Sequence, residues 1–148
     1  MERRTHVIFG IFLFVLLWSA LKFDVFVSAL AAAGAMFPDL DYKKELNTRH
    51  RKLFHNVWIL AFVSLALLLV ANNAVFAVAF TLGFLSHVVA DALTPLGVYP
   101  LYPLRRHRAW FLVGGKAAIT TGHRGEVAFQ VAFASMAAFL FLASSGFV

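Results

Sequence analysis

Residues 74–93 read AVFAVAFTLGFLSHVVADAL, an apolar stretch that carries an imidazole and a carboxylate near its end. Its length is close to the roughly 20 apolar residues that a membrane-spanning helix needs. On a helix, His87 and Asp91 lie one turn apart on the same face, and Gly83 precedes them by another turn. An Asp costs about 2.5 to 3.5 kcal/mol at the bilayer centre, so this pair indicates either a metal ion or a structural hydrogen bond between helices.

The whole chain has the composition of a membrane protein. Of its 148 residues, 61% are hydrophobic and 14% are charged, and the mean hydropathy is +0.81. A water-soluble domain of this length could not bury so much apolar surface. The composition excludes a disordered or collagen-like chain. The lack of cysteine excludes disulfides, a thiolate metal site and a catalytic Cys.

Four more apolar segments are found at residues 7–23, 25–37, 56–71 and 126–143. We therefore predict an all-α, polytopic bundle of about five membrane segments that forms a single domain over residues 1–148. Segment 25–37 is short, because its length corresponds to a rise of only about 20 Å. It either crosses with help from flanking residues or enters the membrane and turns back. The Pro- and Gly-rich residues 94–125 predict a cap of turns on the membrane surface.

The distribution of charge predicts the orientation of these segments. If all five cross, every Lys and Arg except Lys22 lies on one side, together with all six His. Because positive charge marks the cytoplasmic side, we predict a multi-pass protein of the cell membrane with a cytoplasmic N-terminus and cap. A re-entrant segment 25–37 would separate His6 from the other histidines, which favours five crossings.

Further motifs supply nitrogen and oxygen donors to the same side. In FPDLD (37–41), two carboxylates follow Pro38 at a spacing that points both to one side of an extended backbone. RHRKLFHN (49–56) supplies the imidazoles of His50 and His55, and that of His6 lies just before the first segment. The seven candidate ligands are His6, Asp39, Asp41, His50, His55, His87 and Asp91. This mixture suits zinc, manganese or iron better than calcium, and it is sufficient for two or three ions. Taken singly, these residues are also typical of solvated turns and interfaces.

Other charged residues are candidates for catalysis. Glu126 opens the last segment, where it is either a helix cap or, like Asp91, a candidate general base. Asp39 or Asp41 is expected to act in catalysis as a ligand that bridges metal ions. Arg51 and Arg105 are expected to stabilise negative charge in a transition state. Arg105, Arg106 and Arg108 have the charge to hold a phosphate, but a basic cluster beside a membrane segment is more typical of an anchor for anionic lipid headgroups. The residues give little support to nucleic-acid binding.

The order of these motifs is similar to that of a known family. THxxxG (Thr5, His6, Gly10), FPDLD, HRKLFHN and GFLSHVVADALTPLGVYPLYPL together resemble the YdjM-like family of membrane-bound, metal-dependent hydrolases, over residues 5–126. The resemblance implies that the seven candidate ligands are the site positions, in an all-helical site with several metals acting on a phosphate ester. It also implies a distant similarity to zinc-dependent phospholipase C and the single-strand nuclease of that superfamily. Lys52, Phe54 and Asn56 replace the Gly, Thr and Ser of the commoner HRGxTHS pattern, while both histidines remain.

These observations predict an enzyme that hydrolyses a phosphate ester, either a lipid headgroup or a lipid-linked phosphate, at the cytoplasmic face. Two or three divalent ions, zinc before manganese or iron, would be its cofactors, and membrane lipids and a small phosphorylated or lipid substrate its partners. An ion or metal transporter is one alternative, although segments 7–23 and 56–71 carry few polar residues beyond Ser19 and Ser64. A membrane scaffold pinned by metals is another.

Overall fold

The computed structural model describes residues 2–41, 54–105, 112–113, 116–117 and 122–146. Helices account for nearly all of the secondary structure in these ranges, so the all-α prediction is confirmed. The described α-helices are α1 (Arg3–Val15), α2 (Val25–Met36), α3 (Val57–Ala71), α4 (Ala74–Ala92) and α5 (Arg124–Ser144). A π-helical turn, Leu16–Ala20, extends α1, and a 3₁₀ turn, Phe37–Asp41, extends α2. In the cap, Leu112–Val113 (β1) pairs antiparallel with Lys116–Ala117 (β2).

Polar side chains fix where three of the helices begin. Asp24 accepts a hydrogen bond from the Phe26 amide at 2.8 Å, at the start of α2. Asn56 accepts from the first-turn amides of α3 at 3.0 Å, and Asn73 accepts from the first turn of α4 at 2.9 Å. These side chains satisfy amides that have no partner within the helix. Only Asn72, in the left-handed conformation, and Asn73 separate α3 from α4, so the two helices form a hairpin.

Small residues bring α2 and α4 into close contact. A Cβ on Gly83 would collide with the carbonyl group of Ala31, and one on Gly34 would collide with the backbone at Phe80. Such close approach is typical of helix pairs in membranes, where small residues replace the hydrophobic effect as the source of tight packing. The backbone of α2 therefore lies directly against the face of α4 that carries His87.

The outer surface of the bundle is apolar. Phe62, Leu69 and Val70 are 71%, 71% and 88% exposed, as expected for side chains that face lipid. Three helices are long and apolar enough to cross a membrane: Arg3–Ala20, Ala74–Ala92 and Arg124–Ser144. Val25–Leu40 and Val57–Ala71 are shorter apolar helices. The number of crossings and the side of the N-terminus stay predictions.

Two local predictions were wrong. FPDLD is not extended but forms a 3₁₀ turn directly after α2, and Pro38 is tolerated there because the first residues of such a turn donate no amide hydrogen bond within it. The argument from extended backbone for Asp39 and Asp41 therefore does not apply. In addition, α1 begins at Arg3 and not at residue 7, so His6 lies inside this helix. Hydropathy finds the apolar part of a helix but not the polar turn that precedes it.

Candidate metal centre

The imidazole of His87 lies at the centre of a buried polar cluster. His87 is 0% exposed and Asp91 is 1% exposed. The Nδ1 of His87 is 2.7 Å from the Ala35 carbonyl oxygen, which can only accept, so Nδ1 carries the proton and donates. In the neutral ring this leaves the lone pair on Nε2. A backbone carbonyl that fixes the tautomer in this way is one of the common partners of a metal-binding histidine.

Helix α1 contributes His6 to the cluster. The Nε2 of His6 is 3.3 Å from Oδ1 of Asp91. Its ring stacks on that of His87, with a centroid distance of 3.7 Å and an interplanar angle of 20°. The first turns of α1 therefore hold an imidazole against the last turns of α4.

The segment that leads into α3 contributes His55, two residues before that helix begins. Its Nε2 is 3.0 Å from Nε2 of His87 and 3.3 Å from Oδ2 of Asp91. The Asn56 cap and a 2.9 Å hydrogen bond from the Val57 amide to the Pro100 carbonyl hold this segment in place. His55 itself is fully buried.

The 3₁₀ turn after α2 contributes Asp39. Its Oδ1 is 3.8 Å from Nε2 of His87, and the residue is buried. Four separate segments of the chain thus bring three imidazoles and two carboxylates together, and all five residues are among the ligands that the sequence predicts. We call these residues, His6, Asp39, His55, His87 and Asp91, the donor cluster.

The donor cluster has the spacing that a metal ion requires. Two overlapping sets, His6 with His87 and Asp91, and Asp39 with His55 and His87, each bring three ligand atoms within 4.8 Å of one another. In a tetrahedral zinc site with bonds of about 2.0 to 2.1 Å, ligand atoms lie about 3.3 Å apart. The distances of 3.0 to 4.0 Å around Nε2 of His87 and Oδ2 of Asp91 agree with that spacing. Both sets include His87, and because its Nδ1 is engaged by the Ala35 carbonyl, Nε2 is the nitrogen available to a metal ion.

The sequence as a whole also matches a known family. The model of the family described as YdjM inner membrane protein matches residues 1–147. The chain belongs to this family. Comparisons with curated proteins and with solved structures found no match. The family name agrees with the apolar helices in placing the protein in a membrane, whereas hydrolase activity, metal identity and the distant similarity to phospholipase C stay predictions.

Glu126 of this YdjM family member is buried but makes a different set of contacts. Its Oε1 accepts from the Thr5 hydroxyl at 2.7 Å and from the Glu2 amide at 2.6 Å, and its Oε2 accepts from the Gly122 amide at 2.7 Å. Gln130 in turn donates to the Thr5 hydroxyl at 2.7 Å. Glu126 therefore joins the start of α5 to the start of α1, next to His6.

Of the remaining predicted residues, only Arg105 has a described side chain. The side chain of Asp41 and the whole of His50 and Arg51 fall outside the described residues. Arg105 is exposed at the end of the turn-rich segment, and none of the described contacts joins it to the donor cluster.

Two features of the site were missed by sequence reasoning. The sequence could not show that the Ala35 carbonyl accepts from His87, because every residue carries the same backbone carbonyl. A cavity of about 330 Å³ between α1 and α2 borders the cluster, and its lining includes His6 and Asp39 together with Arg3. In the sequence, Arg3 counts only among the positive charges that predict the orientation, although its spacing from His6 places both residues on one face of a helix.

Proposed function

We propose that this YdjM family member is a membrane-bound, metal-dependent hydrolase that cleaves phosphate esters at one surface of the membrane. The observation that carries the proposal is the convergence of the five donor residues, from four chain segments, beside a cavity. Membership of an inner membrane protein family supports the location and is neutral on the activity.

The burial of the donor cluster supports a bound cation. Removing ionisable groups from water is unfavourable unless each is paired or coordinates a metal. His6, His55, His87 and Asp91 are all 2% exposed or less, and Asp39 is 8% exposed. Well-packed apolar residues would stabilise the bundle at least as well as such a polar group. A divalent ion would compensate the two carboxylates and give the three imidazoles a common partner.

The distribution of polar groups between the two ends of the bundle argues against transport. Ser19 and Ser28 are buried at the end opposite the donor cluster, and each donates to a backbone carbonyl of its own helix, Val15 at 2.7 Å and Asp24 at 3.0 Å. All buried titratable side chains among the described residues lie at the end where α1, α3 and α5 begin. A conduit needs polar groups spaced through the bilayer, whereas a surface enzyme needs them at one end.

The residues present suit hydrolysis by a metal-activated water. A bound zinc-type ion would supply a water with a pKa near 7 and polarise the phosphoryl oxygens. The protein's part is to orient the donors, through the Ala35 bond to His87 and the stacking of His6 on its ring. Asp39 or Asp91, whichever is not a ligand, would accept a proton from the attacking water. The predicted role of Arg51 and Arg105 in stabilising negative charge stays a prediction.

Metal analysis combined with turnover tests the proposal. Purified protein loaded with zinc or manganese should hydrolyse a phosphomonoester, phosphodiester or pyrophosphate from a panel of lipids and nucleotides, and a chelator should abolish this activity. His87→Ala should lose metal, whereas His123→Ala, an exposed histidine at the start of α5, should keep both metal and activity. Folded, metal-loaded protein without turnover on the whole panel would contradict the proposal.

Asp39→Asn separates catalysis from scaffolding. This substitution keeps the size of the side chain and removes its charge. A catalytic or ligating role predicts lost turnover with the melting temperature largely retained. Loss of the fold together with the metal would instead support a structural metal site.

A further inference from the structure

We propose that the cavity between α1 and α2 binds an amphiphilic phosphate, with Arg3 holding the phosphate and the apolar wall holding the start of the alkyl chain. This inference rests on the proposed function and names the substrate class of the same site. The occupant is a membrane lipid phosphate rather than a soluble phosphate ester.

The cavity is formed by one face from each of two helices. From α1 it is lined by Arg3, His6 and Val7, which are spaced as neighbours on a helix surface. From α2 and its 3₁₀ extension it is lined by Ala33, Met36, Phe37, Asp39 and Leu40. A ligand in this seam therefore lies against two members of the donor cluster, His6 and Asp39.

The polar part of the lining is suited to an anion beside a metal. Arg3 presents a guanidinium, which pairs with phosphate through parallel hydrogen bonds. The carboxylate of the neighbouring residue, Glu2, is directed towards Gly122: a Cβ added to that glycine would lie 3.7 Å from Glu2 Oε1. A metal ion would compensate Asp39, so a phosphate between Arg3 and the donor cluster would meet positive charge on two sides.

The apolar part of the lining is suited to a hydrocarbon chain. Val7, Ala33, Met36, Phe37 and Leu40 make up the rest of the described lining. Leu40 is 66% exposed and Val7 is 36% exposed, so the cavity borders the apolar outer surface. Deeper in the bundle, Met36 lies against Gly10, where an added Cβ would be 3.3 Å from Met36 Cγ. The polar base or sugar of a nucleotide or sugar phosphate would contact these apolar side chains unfavourably.

The cavity volume limits how much of the ligand is enclosed. About 330 Å³ is near the lower end of the range of small-molecule sites, which is roughly 300 to 1,000 Å³. The cavity therefore encloses a phosphate and the first part of a chain, and the remainder lies along the bundle in the lipid. Lateral entry lets the reacting group approach His6 and Asp39 without the whole lipid leaving the bilayer.

Binding of a non-hydrolysable probe tests the inference without turnover. Dodecylphosphonate has a C–P bond in place of the ester, and its complex with zinc-loaded protein can be counted by native mass spectrometry after release from micelles. We expect saturable binding that Arg3→Gln weakens at least tenfold. Arg4→Gln removes the same charge from an exposed neighbour that is not among the lining residues, and it should change binding less than twofold.

A second pair of variants tests the apolar wall. Ala33→Phe fills the cavity from a position that is exposed in the free protein, so the fold should tolerate it. Ala29→Phe, exposed one turn earlier on the same helix, is the matched control. We expect Ala33→Phe to abolish dodecylphosphonate binding while methylphosphonate binding, which needs no chain space, is retained.

The outcomes separate this inference from the proposed function. Turnover of small phosphoesters without preferential binding of dodecylphosphonate over methylphosphonate overturns the inference and leaves the hydrolase intact. Binding of dodecyltrimethylammonium as tight as that of dodecylphosphonate, or equal losses in Arg3→Gln and Arg4→Gln, also overturns it. Arg3-dependent binding by a protein that hydrolyses nothing supports the cavity as a lipid phosphate site and contradicts the proposed function.

Discussion

His87 donates a hydrogen bond from Nδ1 to the carbonyl oxygen of Ala35, 2.7 Å away on the neighbouring helix. Ala35 follows Gly34, and Gly34 and Gly83 allow the backbones of α2 and α4 to lie directly against each other beside this bond. This hydrogen bond therefore links the packing of α2 against α4 to the orientation of the His87 imidazole. Changes in helix packing should be detectable at the donor cluster.

Gly83→Ala tests this link. Its Cβ would collide with the Ala31 carbonyl, so α2 and α4 must separate, and we expect a loss of about 1 to 3 kcal/mol in stability together with lower zinc content. Thermal unfolding in detergent and metal analysis measure the two effects. Gly125→Ala is the control, because nothing lies within 4 Å of a Cβ at that position. Unchanged stability in Gly83→Ala would show that the close approach is not required.

Zinc itself should stabilise the protein. A ligand that binds only the folded state adds about 2.7 kcal/mol when its concentration is 100 times the dissociation constant. We expect the melting temperature of wild-type protein to rise with added zinc and that of His55→Ala to rise much less, because His55 is within 3.3 Å of both His87 and Asp91. An equal rise in both proteins would place zinc binding elsewhere on the chain.

Glu126→Gln tests whether this residue supports α1 or takes part in catalysis. Its Oε1 accepts from Thr5 and Glu2 and its Oε2 accepts from Gly122, whereas the side chain of Gln can accept through only one of these two atoms and places an NH2 donor at the other. We expect a loss of about 1 to 3 kcal/mol in stability, with turnover per metal-loaded molecule retained. A fall of a hundredfold or more in turnover, with metal still bound, would favour the sequence-based prediction of a general base.

Single-cysteine labelling can determine the number of crossings, because the chain has no native cysteine. With five crossings, a cysteine at Lys22 reacts with an impermeant maleimide from outside the cell, whereas one at Arg105 reacts only after permeabilisation. Both positions lie in described segments between helices. Labelling of both from the same side would instead support a re-entrant segment 25–37.

The sequence predicted much of the fold because lipid imposes simple rules. Apolar runs predicted the five helices, and the cost of burying His87 and Asp91 in one of them indicated a site. Counting five crossings also predicted that one end of the bundle holds His6, Asp39 and His55. The 3₁₀ turn at Phe37–Asp41 could not be predicted in this way, because it depends on local backbone geometry.

Other parts of the site depend on contacts that residue types do not reveal. The carbonyl of Ala35 is chemically the same as every other backbone carbonyl. The hydrogen bonds of Glu126 depend on how the amides of Glu2 and Gly122 are placed, although its position in the first turn of α5 did suggest a cap. The proximity of Arg3 to the cavity required the packing of α1 against α2.

The dispersal of the five donors along the chain sets an order of events during biosynthesis. The last of them, Asp91, emerges from the ribosome long after His6, and no single helix carries more than two of the five. A nascent chain that ends before α4 lacks His87 and Asp91, the two central residues of the donor cluster. Metal binding by the complete donor cluster would therefore require the membrane insertion of α4, and a chain that stops earlier would carry His6, Asp39 and His55 without their two partners.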